Sequence, residues 1–452
     1  MRVGGRAFAL NATPGVMLAL GAVLLAAFGA STALGLALRQ PAALPVMLIG
    51  AALALFLIER PSWIVPAFLA LSWAALPGRI YGGLPSPVEI GGLLLVGYAI
   101  WRAIDRPRYA GTVLLAMGLL ALPLVISGAL SFEGATFPVD DLRELLFLFI
   151  PALCLYGAGS VERAVTVLVA IGLVLGLGGI WSVLVGPTEI FPLEVEPDYF
   201  TDREAPRAAG PFGEPNFYAL SMATLTPLAL FLVTRGGWRR WLGAAALVAI
   251  AGGIMAAGSR GAALAMLFGL IAVAVATPNR QLRLGALATL LAAAALLPLF
   301  ASQAGSSADR PVGGRATENR IALAMLGDHP VAGVGPDRYQ ILYRDYSRDI
   351  GDDPRPVREA HSLPLEIAAE QGAVGIVGWL LAAFVTLSYV LRRGVWATAL
   401  GRTLILSAGT YLAGSLFLHG SQLRLFFILI GLVFAYAAQL GARADRTDPG
   451  PT

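Results

Sequence analysis

Residues 242–276 read LGAAALVAIAGGIMAAGSRGAALAMLFGLIAVAVA, two apolar runs of helical length separated only by Gly258-Ser259-Arg260-Gly261. About 20 apolar residues carry an α-helix across a bilayer, and in hydrocarbon a helix satisfies its own backbone hydrogen bonds. Two such runs in succession predict a membrane hairpin of helices. Working outward, runs of the same Leu/Ala/Gly/Val-rich character recur along the chain. There are about fourteen candidate spans, centred near residues 26, 50, 69, 95, 121, 150, 174, 225, 248, 269, 291, 381, 408 and 432. Twelve spans is the alternative count, where short runs share a tight turn. Composition agrees: 57% of residues are hydrophobic and 13% charged, the mean hydropathy is +0.74, and a soluble domain carries roughly 25% charge. The alternating segments of a transmembrane barrel are missing. The predicted fold class is all-α, a polytopic transmembrane helical bundle.

The first run, Val16 to Leu38, follows Arg2 and Arg6 and superficially suggests a signal peptide. Its length and the span that follows at once favour a retained first helix. The formal charge of +4 comes from Arg alone, since the chain has no Lys. That balance is weak evidence for an anionic partner, and no nucleic-acid partner is expected. Cys154 lies inside an apolar run, cannot pair within the chain and has no neighbouring metal ligands, so packing is its expected role.

With the N-terminus in the cytoplasm, the basic turns around Arg102/Arg106/Arg108, Arg235/Arg239/Arg240, Arg280/Arg283, Arg392/Arg393/Arg402 and Arg443/Arg446 all fall on the cytoplasmic side. About 17 arginines then lie inside against about 7 in short outer loops, a positive-inside bias. Both termini are expected in the cytoplasm. The expected organisation is an N-terminal bundle over 1–300 with about 11 spans and an outer loop at 186–216, a large outer catalytic loop over 301–370, C-terminal helices over 371–442, and a disordered tail over 443–452. No internal repeat is apparent.

The same assignment gathers three segments on the outer face: the loop from Gly186 to Asn216, the turn at Gly258 to Gly261, and the segment from Ala301 to Glu370. Arg260, between small residues at the interface, is costly to bury unless it meets an anion or carboxylate, and its planar fork suits phosphate. A turn arginine snorkelling to water is the bland alternative. Arg315 and Arg320 precede an apolar-periodic segment and are five apart, so one is expected to face the site and the other solvent. His329 is expected to end a helix at the Pro330–Pro336 turn. Tyr339, Tyr343 and Tyr346, interleaved with Arg338 and Arg344, form a candidate sugar-contacting surface, and an amphipathic helix lying on the membrane explains them equally. Asn216 is a natural helix N-cap and a candidate anion contact. His361 stands where the polar loop re-enters the membrane, with Glu359 before it and Glu366 and Glu370 after it. A near-neutral imidazole suits removal of a proton from a sugar hydroxyl. Three histidines are too few to make a metal site, so none is expected.

Four ordered elements resemble the O-antigen ligase and polysaccharide polymerase superfamily of the bacterial inner membrane. They are Arg207 through Asn216, Ser259-Arg260, Arg315 with His329-Pro330-Val331-Ala332-Gly333-Val334-Gly335, and His361-Ser362 followed after nine residues by Gly372 and then Gly375. Asn319 departs from the pattern, since many relatives carry Trp there. The resemblance implies a cofactor-free, metal-independent, inverting glycosyltransferase acting at the periplasmic face, with membrane lipids around it. It implies a polyprenyl-diphosphate-linked glycan as donor and a lipid A core or another glycan as acceptor. By that analogy Arg260 and Arg315 or Arg320 hold the diphosphate and His361 activates the acceptor. Arg207, Asn216, Arg338, Tyr339 and Glu359 are further candidate substrate contacts. A polymerase differs only in its acceptor. A transporter or flippase would place its polar groups on interrupted helices near the midplane, often in paired repeats.

Overall fold

The structure, a computed structural model, describes residues 63–73, 87–131, 134–135, 137–155, 160–188, 191–197, 204–304, 313–350, 360–418 and 423–447. The expected spans near residues 26 and 50 lie outside the described residues, as do Glu359 and His419. The other twelve expected centres each fall inside a helix.

The helices are α1 (Ile64–Trp73), α2 (Pro87–Asp105), α3 (Pro107–Ala129), α4 (Val139–Glu144), α5 (Leu146–Cys154) and α6 (Ser160–Leu184). A two-stranded antiparallel hairpin follows, β1 (Leu193–Pro197) and β2 (Glu204–Ala208), in which Glu194 faces Arg207 in register. Then come α7 (Pro215–Val233), α8 (Trp238–Ala257), α9 (Arg260–Ala276), α10 (Arg280–Ala304), α11 (Gly313–Asp328), α12 (Tyr339–Asp349), α13 (Leu363–Arg392), α14 (Ala399–Ser415) and α15 (Arg424–Thr447). Six of them, α3, α6, α7, α8, α13 and α15, are long and apolar enough to cross a membrane. The chain is a multi-pass membrane protein. The hairpin inside the outer loop at 186–216 is not foreseen by the sequence reading, and α15 continues to Thr447, past the expected start of the tail at 443.

A helix that is apolar all round belongs in the interior, and α7 is that helix, buried along almost its whole length. It packs against α8, α9, α14 and α6. Close approach relies on small residues, as expected where lipid offers no hydrophobic drive between helices. A Cβ on Gly176 of α6 would meet the Ala249 carbonyl of α8, and Gly179, Gly210 and Gly253 leave the slot that holds the Tyr218 ring. The Tyr218 hydroxyl donates to the Leu175 carbonyl at 2.8 Å.

The basic turns share one end of this bundle. Arg235 and Arg239 both reach Glu162 at the start of α6, Arg402 donates to the Ala276 carbonyl at the end of α9, and a Cβ on Gly441 of α15 would strike Arg393. The candidate site residues lie at the opposite ends of the same helices.

Candidate active site

The two glycine motifs describe one junction. In an unbroken helix Ala373 and Val374 would donate to Ala369 and Glu370. Gly372 (φ +60°, ψ −154°) breaks α13 and removes that pairing. The segment after α11 replaces it bond for bond. The Ala373 and Val374 N–H groups donate to the Pro330 and Val331 carbonyls at 2.9 and 3.1 Å, while the Ala369 and Glu370 carbonyls accept from Val334 and Gly335 at 2.9 and 3.0 Å. Buried backbone groups are almost always paired, so the break exists only with its partner in place. Side chains are excluded on both sides: a Cβ on Gly333 would strike Glu370, and one on Gly372 would lie 2.6 Å from Val331 and Gly333. From α3, Ser127 donates to the Glu370 carbonyl at 2.5 Å, and the Ser131 hydroxyl just beyond it bonds the Val334 carbonyl at 3.1 Å.

Arg207 on β2 ties three elements together. Its Nε donates to the Ala257 carbonyl at the end of α8 at 2.8 Å, and its Nη2 donates to the Asn216 Oδ1 at 2.9 Å. The N-cap of α7 is Glu214, whose carboxylate accepts from the Asn216 and Phe217 N–H groups. The expected capping role of Asn216 thus belongs to Glu214, two residues earlier, because an acidic side chain there reaches both free N–H groups and meets the positive helix end. Ser259 caps α9 through the Ala262 N–H, which puts Arg260 in the exposed first turn of that helix.

The Ser259–Gly261 turn lies beside the turn after α14, since a Cβ on Gly261 would sit 3.5 Å from Leu418. The Leu418 carbonyl in turn accepts from the Leu363 N–H at 3.2 Å, two residues beyond His361. Arg207, Asn216, Arg260 and His361 therefore stand on segments that adjoin at one end of the bundle.

His361 Nε2 lies 3.6 Å from the Glu318 Oε2 of α11. Glu318 is 1% exposed, whereas the His361 side chain is 23% exposed. Glu318 went unnoticed in the sequence, although a signal was present. With Ile321, Ala322 and Met325 it occupies the buried face of α11, a position where a carboxylate has to be matched. Tyr339 is 2% exposed, and its hydroxyl donates to the Glu318 backbone carbonyl at 2.9 Å. Tyr339 and Tyr343 are core residues, which corrects the expected sugar-contacting surface: their rings pack with Ile321, Met325, Val334 and Leu342 in one small apolar core. Arg338 is half-buried beside the Gly335 turn and Arg320 is exposed. The side chain of Arg315 lies outside the described residues. His329 receives the Gly333 N–H on its carbonyl at 3.0 Å and so holds the expected turn.

A small, partly open pocket adjoins this site, lined by Asp141, Glu144, Glu366, Glu370, Gln371 and Trp379 among others, with Leu363 in its wall. Burial, reinforced by Asp337 and Asp140, pushes the Asp141 carboxyl up to about 6. Burial also pushes Glu144 up to about 7, opposed by Arg424, whose guanidinium lies 3.7 Å away. Among the described residues no group of three or more His, Cys, Asp or Glu stands close enough to hold a metal ion. Sequence reading did not anticipate this acidic chamber, because its carboxylates come from segments more than 200 residues apart.

This fold defines a multi-pass membrane protein whose candidate site residues gather at one end of the bundle. Residues 245–380 match the family model described as O-antigen ligase, which supports the O-antigen ligase-like superfamily and a membrane glycosyltransferase-like function in O-antigen processing. The matched segment runs from α8 through the Ser259-Arg260 turn, the glycine junction and His361 into α13. No curated protein matches the chain.

Proposed function

We propose that this protein transfers a glycan from a polyprenyl-diphosphate carrier to an acceptor hydroxyl, at the periplasmic face of the inner membrane, in the manner of an O-antigen ligase with a lipid A core as acceptor. The observation that carries the reading is the meeting of the Arg207–Asn216 segment, the Ser259-Arg260 turn and His361 through Leu418 and Leu363. In the reaction His361 takes the proton of the acceptor hydroxyl, the freed oxygen lone pair attacks the anomeric carbon, and the bond to the diphosphate oxygen breaks with its electron pair leaving on the diphosphate. Arg260 stabilises that leaving charge, as fixed guanidinium groups do without a metal. Arg315 or Arg320 serves as the second diphosphate ligand. Attack opposite the leaving group inverts the anomeric centre.

The acidic chamber supports an approach of the acceptor from that side. Its carboxyl groups offer hydrogen-bond partners to sugar hydroxyls. The test is incubation of purified protein with a diphosphate-lipid glycan and a lipid A core acceptor, followed by mass analysis. His361→Ala and Arg260→Ala are each expected to abolish product while the protein still inserts and folds, and chelators are expected to leave the rate unchanged. Full transfer by either variant would sink the assignment.

A further inference from the structure

We propose that Glu318 is the positioning residue of His361: its buried carboxylate orients the imidazole and stabilises the positive charge that the imidazole takes on with the acceptor's proton. The inference rests on the transferase reading above for its role in turnover, and on geometry alone for the pairing.

An ionised carboxylate with 1% exposure is strongly disfavoured unless an opposite charge faces it. His361, 3.6 Å away on another element, is a cation-forming side chain in contact with it. The contact is not a by-product of a loose loop. Ala360, directly before His361, lies in one small core with Ile321, Ala322, Met325, Tyr339 and Tyr343, so α11, α12 and the approach to α13 are clamped together by apolar packing. The Tyr339 hydroxyl further pins the Glu318 backbone. Apolar contacts already fix the backbone geometry, and a charged side chain inside that clamp adds an electrostatic bias. The other titratable groups around the pair are Tyr339 and Tyr343 from α12 and Glu366 and Glu370 from α13, each of which interacts electrostatically with Tyr339 beside Glu318. Across Leu418 stands the turn of Arg260. Glu318 is in direct contact with the imidazole.

Chemically, the acceptor O–H bond breaks and an N–H bond forms on His361, turning a neutral ring into a cation. A carboxylate within about 4 Å favours that charged form by one to three pKa units, so it makes His361 a stronger base and steadies the ring while the proton resides there. The arrangement is that of a base oriented by a third group.

The test is Glu318→Gln, which keeps shape and removes charge, read by imidazole NMR titration of purified, isotope-labelled protein. Only three histidines are present, and the His361 signal is assigned by its loss in His361→Gln. The His361 pKa is expected to fall by roughly one unit or more. The turnover rate is expected to fall roughly tenfold or more, with the acid limb of the pH–rate profile displaced to lower pH and acceptor KM little changed. Glu318→Asp, which keeps the charge at greater distance, is expected to lower the pKa by a smaller step and recover part of the rate. It also carries the test if the Gln variant does not fold. An unchanged His361 pKa in these variants overturns the pairing. A lowered pKa with undiminished transfer upholds the pairing and removes His361 from the chemistry, so failure of this proposal and failure of the transferase reading give different results.

Discussion

Replacing Gly372 by Ala should open the junction between the two glycine motifs. Its φ/ψ of +60°/−154° belongs to a region used almost exclusively by glycine, where another residue costs about 1–3 kcal/mol. The new methyl would lie 2.6 Å from the Val331 carbonyl and the Gly333 nitrogen, well inside contact distance, and the neighbours are backbone atoms that cannot rotate away. Relief requires residues 330–335 to withdraw from α13, straining the four exchanged backbone bonds at Pro330, Val331, Val334 and Gly335. At about 0.5–1 kcal/mol net for each bond, strain and lost bonding together come to roughly 3–7 kcal/mol. The assay is unfolding of the detergent-solubilised protein by added SDS, followed by circular dichroism, alongside trypsin cleavage at Arg338 and Arg344. Gly372→Ala should unfold at lower SDS and be cut faster in this segment. Gly118→Ala in α3, where a Cβ meets nothing within 4 Å, should be neutral or slightly stabilising, since Ala is the better helix former by up to about 1 kcal/mol. Unfolding and cleavage of Gly372→Ala indistinguishable from the parent protein would refute the account of the junction.

Two further outcomes follow from the site's geometry. Arg207→Ala loses bonds to the Ala257 carbonyl and Asn216; with charged hydrogen bonds contributing about 1.5–3 kcal/mol each, a loss of roughly 3–6 kcal/mol is expected in the same unfolding assay. Arg207→Lys, lacking the planar fork, should recover only part of it, and full recovery would show that charge alone matters. Because burial raises the carboxyls of Asp141 to about 6 and Glu144 to about 7, the folded state binds more protons than the unfolded chain between about pH 4 and 7. Stability from these groups is present at low pH and declines as pH rises through 6 and 7, so the melting temperature should be higher at pH 5.5 than at pH 8, with a shallower dependence in Asp141→Asn. A slope unaltered by that substitution would contradict the burial of Asp141.

The membrane-spanning helices were legible because hydrophobic period and length are local properties: each expected centre from residue 69 onward lies within a helix. The glycines of both motifs and the arginine of the Ser259-Arg260 turn stood out for the same reason, as residues whose type conflicts with their apolar surroundings. Pairings were not legible in this way. That Gly333 and Gly372 lie back to back, that Arg207 holds Asn216 and the end of α8, and that Glu318 faces His361 are facts about segments tens of residues apart. Tyr339 shows the limit most clearly. Its neighbours along the chain suggested an open surface, and packing against α11 turned it into core. The hairpin at 193–208 was missed because a short, polar, two-stranded element carries little period-2 signal.

The amino-acid order alone therefore determined that this chain is a bundle of membrane helices with its polar groups collected at the turns between them, since burial in lipid selects residue by residue. Which of those groups meet was decided by the assembled bundle, because each contact depends on close helix approach and on the exchange of backbone hydrogen bonds at the Gly372 break, neither of which any one segment specifies.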